Sequence, residues 1–451
     1  MVQKVDLNVI VGLGKTGLSC AHFCAHENIP FAVTDSRLDP PGLAELKRDF
    51  PQCTIALGEF STELLNQAAR LIVSPGVWLH EPAIAACIAR GIPAIGDVEL
   101  FAQKAQAPIV AITGSNGKST VTTLVGEMAR NAGRCVQVGG NLGTPVLDLL
   151  LADHTALYVV ELSSFQLETT YSLRAAAATT LNISPDHMDR YANVDEYAAA
   201  KHRIYHNCQV AVLNRDDAIS QPSSADLQHA KNIYFTLQTP SAGEWGIHMQ
   251  GSEAFLAYGH DALISTRSMR IKGRHNWANA LAALALGDAV GLSRAVMLET
   301  LTTFPGLAHR CQWVAEHRGV AWYNDSKGTN VGATAAAIDG LGGALHGGKI
   351  VLLAGGLGKD ADFTALQTPV QQYVRHAVLF GKDAREIGQA LDPVTAITYV
   401  DDLAAAVTYA QHAAKNGDAV LLSPACASFD MFNNFEHRGQ VFMELVQRII
   451  A

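Results

Sequence analysis

Short apolar runs alternate with longer stretches of helical periodicity along most of the chain. In the first part, VDLNVIVG, FAVTD and RLIVSPG have the composition of strands, and TGLSCAHFCAHE has the pattern of a helix. Strands that alternate with helices are typical of βαβ units, so this part is predicted to form a parallel sheet. Pro and Gly in GIPAIGDVEL indicate that a first domain ends near residue 97.

Two further α/β segments follow. PIVAIT, TALYVVELSS and AAATTLNIS predict buried parallel strands, and residues 195–206 and WANALAALALGDAV predict helices. Residues 215–270 have weak periodicity, which favours an antiparallel flank. After a Pro- and Gly-containing linker at 303–312, AWYNDS, KIVLLAGG, HAVLFG and DAVLLSPA predict four more strands. The fold class is therefore predicted as α/β.

Charge and cysteine usage narrow the class of protein. The 451 residues include 42 acidic and 33 basic ones, with no basic stripe of the kind that nucleic-acid binding requires. The eight cysteines are scattered, which favours free thiols in a reducing compartment. No run approaches the length of about 18 apolar residues that a membrane span needs, and the N-terminus lacks a signal-peptide cleavage site. We therefore expect a soluble cytoplasmic protein without nucleic-acid or membrane partners.

A glycine motif follows the first predicted strand. Gly12, Gly14 and Gly17 form G-x-G-x-x-G before a helix, and Asp35 ends the next strand. Such glycines allow a phosphate to approach the backbone at a helix N-terminus. The pattern fits a dinucleotide or a uridine diphosphate equally well, and a tight turn without a ligand stays open as the alternative.

A second glycine-rich loop, TGSNGKST, follows the strand PIVAIT. The standard phosphate-loop spacing would place a glycine at Ile112, so this loop is shorter. Its backbone N–H groups can still bind phosphate, Lys118 can reach the terminal phosphates, and the Ser119 hydroxyl can bind Mg²⁺. A simple helix cap is the alternative, but a cap does not account for the Gly-Lys-Ser-Thr sequence.

Several polar residues follow the other central strands. Glu161 ends an apolar strand at the edge of the sheet where α/β proteins bind ligands. Asp186, His187 and Asp189 follow another strand, where they could hold a metal or be merely structural. Lys201 lies in an alanine-rich helix, and its pattern alone favours an exposed surface lysine.

The last third of the chain contains polar residues whose roles cannot be decided from each residue alone. Asn276 and Asn279 lie one turn apart at a predicted helix start, where amides can bind an adenine edge or cap the helix. Arg310 and Asp325 are isolated charges. The segments GGLGKDADF and SPACASFDMFNNFEHRG follow strands, which is a typical position for a small-molecule pocket.

The order of these motifs identifies a family resemblance that spans the chain. The chain resembles the Mur ligases, ATP-dependent enzymes that form amide bonds in peptidoglycan precursor synthesis, in GSNGKST, ELSSFQLE, NISPDHMDRY, KHRIY, GRHN, NDSKGTN and SPACASFDMF. GLGKTG, DSR at 35–37, SPG at 74–76 and the SPACASFDMF ending are most similar to the branch that adds D-glutamate to UDP-N-acetylmuramoyl-L-alanine. The resemblance implies a Rossmann-like UDP-sugar domain at 1–97, a P-loop-type ATPase domain at 98–305 and a Rossmann-like amino-acid domain at 306–451.

The resemblance also implies residue roles. The catalytic residues it implies are Lys118, Glu161, His187 and Lys201. The implied metal ligands, for two Mg²⁺ ions, are Ser119, Glu161, His187 and Lys201 as a carbamate. The implied ATP contacts are Gly114, Ser115, Asn116, Gly117, Lys118, Ser119, Thr120, Asn276, Asn279, Arg310 and Asp325.

The same resemblance implies two further substrate sites. The UDP-sugar contacts are Thr16, Asp35, Ser36, Arg37, Ser74, Gly76 and Asn141, and Lys15 stands where an apolar residue is common in the family. The D-glutamate contacts are Thr329, Lys359, Ser428 and Phe435; a lysine and hydroxyls are sensible partners for carboxylates.

The predicted function is ATP-dependent ligation of D-glutamate through an acyl phosphate, by a monomer that serves cell-wall synthesis. The alternatives are another Mur or folylpolyglutamate-type amide ligase, an NAD-dependent dehydrogenase, and a nucleotide-binding module without catalysis. The dehydrogenase hypothesis rests on the first glycine motif alone and leaves Lys118, Glu161 and Lys201 unexplained.

Overall fold

The computed structural model describes residues 6–184, 186–187, 190–224, 226–345, 347–358 and 361–450. It contains three β-sheets in consecutive parts of the chain, each packed with helices. The chain forms two compact units, Met1–Ile264 with Ala278–Thr300, and Ser265–Trp277 with Leu301–Ala451. The α/β class with three consecutive sheets is as predicted, whereas the domain boundaries after residues 97 and 305 stay predictions.

The first sheet is entirely parallel, with the order β3-β2-β1-β4-β5. Its strands are β1 Asn8–Val11, β2 Phe31–Asp35, β3 Ile55–Leu57, β4 Arg70–Val73 and β5 Ala94–Ile95. Its helices are α1 Lys15–His26, α2 Leu43–Asp49, α3 Thr62–Gln67, α4 Pro82–Ala89 and α5 Asp97–Lys104. This order reverses direction between β1 and β4, and ligands of open α/β sheets bind in the crevice at such a reversal.

The second sheet has the order β14-β13-β12-β11-β10-β9-β6-β8-β7. Its strands are β6 Ile109–Thr113, β7 Val136–Gly140, β8 Leu157–Glu161, β9 Ala177–Thr180, β10 Val210–Asn214, β11 Lys231–Phe235, β12 Trp245–Gln250, β13 Glu253–Tyr258 and β14 Asp261–Ser265. The helices of this part are α6 Lys118–Asn131, α7 Ser164–Glu168, α8 Val194–His202, α9 Arg274–Ala289 and α10 Arg294–Thr303. Strands β6 and β8 are buried throughout, which explains their nearly continuous apolar sequences. The antiparallel pairing of β12 with β13 confirms the predicted flank.

The third sheet has the order β15-β16-β20-β17-β18-β19, with β15 antiparallel to β16. Its strands are β15 Gln312–His317, β16 Val320–Asn324, β17 Ile350–Gly355, β18 Val374–Phe380, β19 Ala396–Tyr399 and β20 Ala419–Leu422. Its helices are α11 Val331–Gly342, α12 Gln367–Tyr373, α13 Ala384–Leu391, α14 Leu403–Ala413 and α15 Phe435–Ile450. Loops after the adjacent strands β16, β20 and β17 therefore meet at one edge of this sheet.

The end of one predicted helix and the number of strands in the third sheet differ from the prediction. The helix predicted at 195–206 ends at His202 and continues as a 3₁₀ turn, Arg203–Tyr205. The third sheet has two edge strands, β15 and β19, beyond the four predicted, because partly exposed edge strands lack the long apolar run of a buried strand. Among the described residues, no helix has both the length and the hydropathy that crossing a bilayer requires.

Candidate active site

The glycine-rich loop at 114–120 connects the buried strand β6 to helix α6. Gly114 has φ 141° and Gly117 has φ 83°, a region of backbone space that favours glycine. A Cβ atom on Gly117 would also collide with Oδ1 of Asn279, so the loop and this amide pack closely. Ile112 is buried within β6, which ends at Thr113. The glycine missing from the standard spacing thus falls inside the strand.

Asn182, just after β9, holds the loop in place. Its carbonyl oxygen accepts the Ser115 N–H at 2.8 Å, and its Oδ1 accepts the Asn116 N–H at 2.9 Å. Its Nδ2 donates to the Asn116 carbonyl at 3.0 Å. Asn182 is not among the site residues predicted from the sequence. The signal that could have found it is its position after a strand that pairs with β6.

Lys118 begins helix α6 and folds over the loop. Its Nζ donates to the carbonyl oxygens of Gly114 and Ser115, each at 2.9 Å. Ser119 and Thr120 complete the first turn, so the positive end of the helix dipole and the lysine charge lie at the same place. This arrangement is suited to the phosphate groups of a nucleotide.

Glu161, the last residue of β8, lies directly beside this turn. It is buried, and its Oε2 accepts the Ser119 hydroxyl at 2.7 Å. Its Oε1 accepts Nδ2 of Asn141 at 2.7 Å. A serine hydroxyl and a carboxylate within this distance are hard oxygen donors of the type that Mg²⁺ prefers, so the residues present fit a magnesium ion.

Lys201 is buried beside the end of β6, with 2% of its surface exposed. Its Nζ donates to the Thr113 hydroxyl at 3.3 Å and lies 4.7 Å from the centre of the Tyr197 ring. Burial and the charge of Lys118 lower the pKa of Lys201 to about 7, against the opposing influence of Asp186 and Glu161. The default interpretation of an exposed surface lysine is therefore wrong.

His187 lies in the loop after β9, in a left-handed conformation with φ 57°. Its ring packs against Phe165 at 4.8 Å and lies 6.3 Å from the ring of Tyr197, which Lys201 also contacts. The side chain is partly exposed, and its Nε2 lies 3.6 Å from Oδ2 of Asp186. His187 is thus connected to Lys201 through Tyr197, while the third residue of this motif, Asp189, lies outside the described residues.

A cleft of about 810 Å³ opens at the reversal point of the first sheet. The residues predicted to bind the UDP-sugar all line it: Thr16, Asp35, Ser36, Arg37, Ser74, Gly76 and Asn141. Lys15 also lines it. Because Asn141 lines the cleft and also contacts Glu161, the cleft and the phosphate loop are connected through this one amide.

Asp35 organises the glycine loop of the cleft. Its Oδ2 accepts the Leu13 N–H at 2.6 Å and an Arg37 guanidinium N–H at 2.7 Å, and its Oδ1 accepts two more N–H groups of Arg37. Burial alone would raise the pKa of Asp35, but these hydrogen bonds hold it below its usual value. The side chain of Arg37 remains half exposed, so a bound anion can reach it.

The second unit holds the remaining predicted ATP residues. Nδ2 of Asn276 donates to the Lys272 carbonyl at 2.8 Å in the first turn of α9, and Arg310 is exposed. Asp325 is buried, where it accepts the Cys311 N–H at 3.0 Å and the Ser423 hydroxyl at 2.6 Å. Burial raises its pKa to about 6.

The predicted amino-acid residues lie on loops at the carboxyl edge of the third sheet. Thr329 follows β16 and Ser428 follows β20, and both strands are adjacent in the sheet. Phe435 begins α15, and its carbonyl oxygen accepts the Ser326 hydroxyl at 2.8 Å, which connects this helix to the loop of Thr329. Lys359 lies outside the described residues.

Comparison with known proteins identifies the family. Successive segments match the profiles "Mur ligase MurD-like, N-terminal domain" at 6–96, "Mur ligase middle domain" at 112–287 and "Mur ligase, glutamate ligase domain" at 309–426. The UDP-N-acetylmuramoylalanine–D-glutamate ligase of Nitrosococcus oceani is 53% identical and covers 100% of this chain and 98% of its own length. The chain belongs to the Mur ligase family. The Pseudomonas aeruginosa ligase of the same name is 52% identical, over 100% and 99% of the two chains.

Solved structures support the same fold. The UDP-N-acetylmuramate–alanine ligase of Thermotoga maritima has a TM-score of 0.57 at 17% identity, over 98% of this chain and 99% of its own. A UDP-N-acetylmuramoyl-L-alanyl-D-glutamate–2,6-diaminopimelate ligase has a TM-score of 0.58 at 18% identity, over 78% and 86%. At such identities the likeness concerns the fold alone.

Proposed function

We propose that this chain joins D-glutamate to UDP-N-acetylmuramoyl-L-alanine at the expense of ATP, and that it releases ADP and phosphate. The observation that carries the proposal is the hydrogen-bonded path from Ser119 through Glu161 to Asn141. This path connects a phosphate loop with a cleft large enough for a nucleotide sugar. The names of relatives about 53% identical over the full length support the same substrates.

The chemistry explains why both sites are needed. A carboxylate is a poor electrophile, so an amine cannot displace its oxygen directly. Transfer of the γ-phosphoryl group of ATP to the carboxylate of the alanyl substrate gives an acyl phosphate and ADP. The amine of D-glutamate then attacks the carbonyl carbon, and the tetrahedral intermediate expels phosphate to leave the amide.

Phosphoryl transfer depends on positioning and on charge neutralisation. Lys118 would stabilise the negative charge on the γ-phosphoryl oxygens, and the loop N–H groups would hold the phosphates in line. Ser119 and Glu161 would hold one Mg²⁺, which when bound neutralises phosphate charge. His187 and a modified Lys201 would hold a second Mg²⁺.

Modification of Lys201 follows from its environment. An amine with a pKa of about 7 is substantially neutral at cytoplasmic pH, and a neutral amine can attack CO₂. The C–N bond forms, one proton leaves, and the cationic side chain becomes an anionic carbamate that can bind a metal. ¹³C NMR of the active enzyme under ¹³CO₂ should show a carbamate carbon. A fully active enzyme that shows no carbamate carbon signal, and whose Lys201 is therefore unmodified, would reject this step.

D-glutamate would bind on the loops after β16 and β20, with Thr329, Lys359, Ser428 and Phe435 as its contacts. The hydroxyls and the lysine suit the two carboxylates of this amino acid. The ATP contacts would be completed by Asn276, Asn279, Arg310 and Asp325. Because the reaction needs ATP and a nucleotide sugar, we place the enzyme in the cytoplasm, and we expect a monomer, which light scattering can check.

Phosphate release with an amino-acid panel tests the proposal. The protein receives ATP, Mg²⁺ and UDP-N-acetylmuramoyl-L-alanine together with D-glutamate, L-glutamate, L-lysine or diaminopimelate. Turnover should require D-glutamate and should be small with the others. Equal turnover with all four would remove the assigned specificity, and turnover with diaminopimelate alone would assign a different member of the family.

A further inference from the structure

Arg190 lies between the nucleotide-sugar cleft and the loop of His187. Its Nη1 donates to the carbonyl oxygen of Pro75 at 3.1 Å, in the Ser74–Gly76 segment that lines the cleft. Its backbone N–H donates to the His187 carbonyl oxygen at 2.9 Å. One residue therefore contacts both segments at once.

The guanidinium group is held by more than its bond to Pro75. Its Nη2 forms an ion pair with Oε2 of Glu168 at 2.9 Å, and its Cζ lies 3.9 Å from the centre of the Phe165 ring. Phe165 also contacts the ring of His187, with the ring centres 4.8 Å apart. Arg190 is 12% exposed in its side chain, and its buried Nε has no hydrogen-bond partner among the described residues.

This geometry makes specific demands on the side chain. A planar guanidinium can donate to a carbonyl and to a carboxylate in different directions and can stack on an aromatic ring at the same time. A lysine ammonium keeps the charge but lacks the fork and the flat face. The burial of a cation in this position costs free energy unless its partners are fixed. The contacts of Arg190 therefore require Pro75, Glu168 and Phe165 to keep their relative positions.

We propose that Arg190 is a positioning residue that couples the UDP-sugar cleft to the His187 loop. It sets the position of the Ser74–Gly76 segment through the Pro75 carbonyl and the position of the His187 ring through Phe165. Binding of the nucleotide sugar in the cleft then favours the same positions of the Ser74–Gly76 segment and the His187 ring as binding of a metal at His187. The inference rests on the proposed function, because it takes the cleft as the UDP-sugar site.

Arg203 provides a matched control. It lies in the same unit and anchors the same part of the chain, since its Nε and Nη2 donate to the carbonyl oxygens of Leu167 at 2.7 Å and Thr170 at 2.8 Å. It also stacks on an aromatic ring, that of Tyr171 at 5.3 Å. None of these contacts, however, involves the Ser74–Gly76 segment. Arg203→Met therefore removes a comparable structural anchor without removing the bond to Pro75.

The test measures binding of UDP-N-acetylmuramoyl-L-alanine by calorimetry without ATP, together with the Mg²⁺ concentration for half-maximal turnover. Loss of a charge-assisted hydrogen bond corresponds to about a tenfold change in an equilibrium constant. We expect Arg190→Met to weaken sugar binding about tenfold and to raise the Mg²⁺ requirement, with the KM for D-glutamate unchanged. The sugar affinity and the Mg²⁺ requirement of Arg190→Lys should lie between those of Arg190→Met and those of the wild type. Arg203→Met should lower the melting temperature, but its sugar affinity and Mg²⁺ requirement should stay within about twofold of the wild-type values.

The outcomes separate the coupling from the proposed function. If Arg190→Met and Arg203→Met lose the same stability and both keep the wild-type sugar affinity and Mg²⁺ requirement, the coupling is refuted. If Arg190→Met does not fold, Glu168→Gln replaces it, with an expected loss of about threefold in sugar affinity; an unchanged affinity would again refute the coupling. Failure of the wild type to bind the nucleotide sugar would instead overturn the proposed function, and this inference with it.

Discussion

Replacement of Lys201 by methionine tests how burial acts on this side chain. The pKa of Lys201 is lowered from 10.5 to about 7. At pH 7 the Lys201 amine is fully protonated in the unfolded chain but only partly protonated in the folded protein. This difference costs the folded state about 4 kcal/mol. Methionine removes this cost, but it also removes the contact with Tyr197 and the hydrogen bond to Thr113, together worth about 2 kcal/mol. We therefore expect Lys201→Met to be more stable by about 2 kcal/mol at pH 7.

The pH dependence gives the sign of the effect. Between pH 7 and 10.5 the unfolded chain binds the Lys201 proton and the folded protein releases it, so wild-type stability rises with pH across this window. At pH 9 the cost of burying the amine falls to about 2 kcal/mol, which the lost contacts balance. The advantage of the methionine variant should therefore shrink towards zero at pH 9.

Urea unfolding in CO₂-free buffer without Mg²⁺ measures both values. Lys231→Met is the control, at an exposed lysine in β11 of the second sheet. It should change the free energy of unfolding by less than about 0.5 kcal/mol. A Lys201→Met variant less stable than the wild type at pH 7 would show that burial of this amine does not destabilise the folded protein. An advantage that is the same at pH 7 and pH 9 would show that the proton is not its cause.

Four further outcomes are expected. Lys118→Ala should abolish phosphate release while the circular dichroism spectrum stays that of the wild type; near-normal turnover would reject its role. Gly117→Ala should raise the KM for ATP at least about tenfold, whereas Gly133→Ala, at φ 77° but with open space around it, should leave that KM unchanged. Asp35→Asn should raise the KM for the UDP-sugar and not that for D-glutamate, as steady-state kinetics can check. Bicarbonate should stimulate turnover more at pH 8 than at pH 6, because the neutral form of Lys201 increases through about pH 7; equal stimulation would argue against carbamate formation.

The sequence predicted those features of the fold that have a local cause. Buried parallel strands such as β6 and β8 have nearly continuous apolar runs, and glycines with positive φ, such as Gly12 and Gly117, mark the turns that follow strands. The edge strand β19 was missed because its side chains are partly or fully exposed and its apolar run is short.

Contacts between distant segments could not be predicted in the same way. The alanine-rich helix of Lys201 has no pattern that reveals which face is buried, so the low exposure of this lysine depends on the surrounding sheet. Asn182 and Arg190 act on loops 66 and 115 positions away in the chain. Their importance follows from strand order and loop packing, which no local sequence pattern contains.

Transfer of a labelled oxygen tests whether the reaction passes through an acyl phosphate. UDP-N-acetylmuramoyl-L-alanine carrying ¹⁸O in its carboxylate is incubated with ATP, Mg²⁺, D-glutamate and the enzyme, and the released phosphate is analysed by mass spectrometry. An acyl phosphate requires one carboxylate oxygen to leave with the phosphoryl group, so the released phosphate should contain one ¹⁸O atom. Unlabelled phosphate, formed together with the amide product, would contradict it.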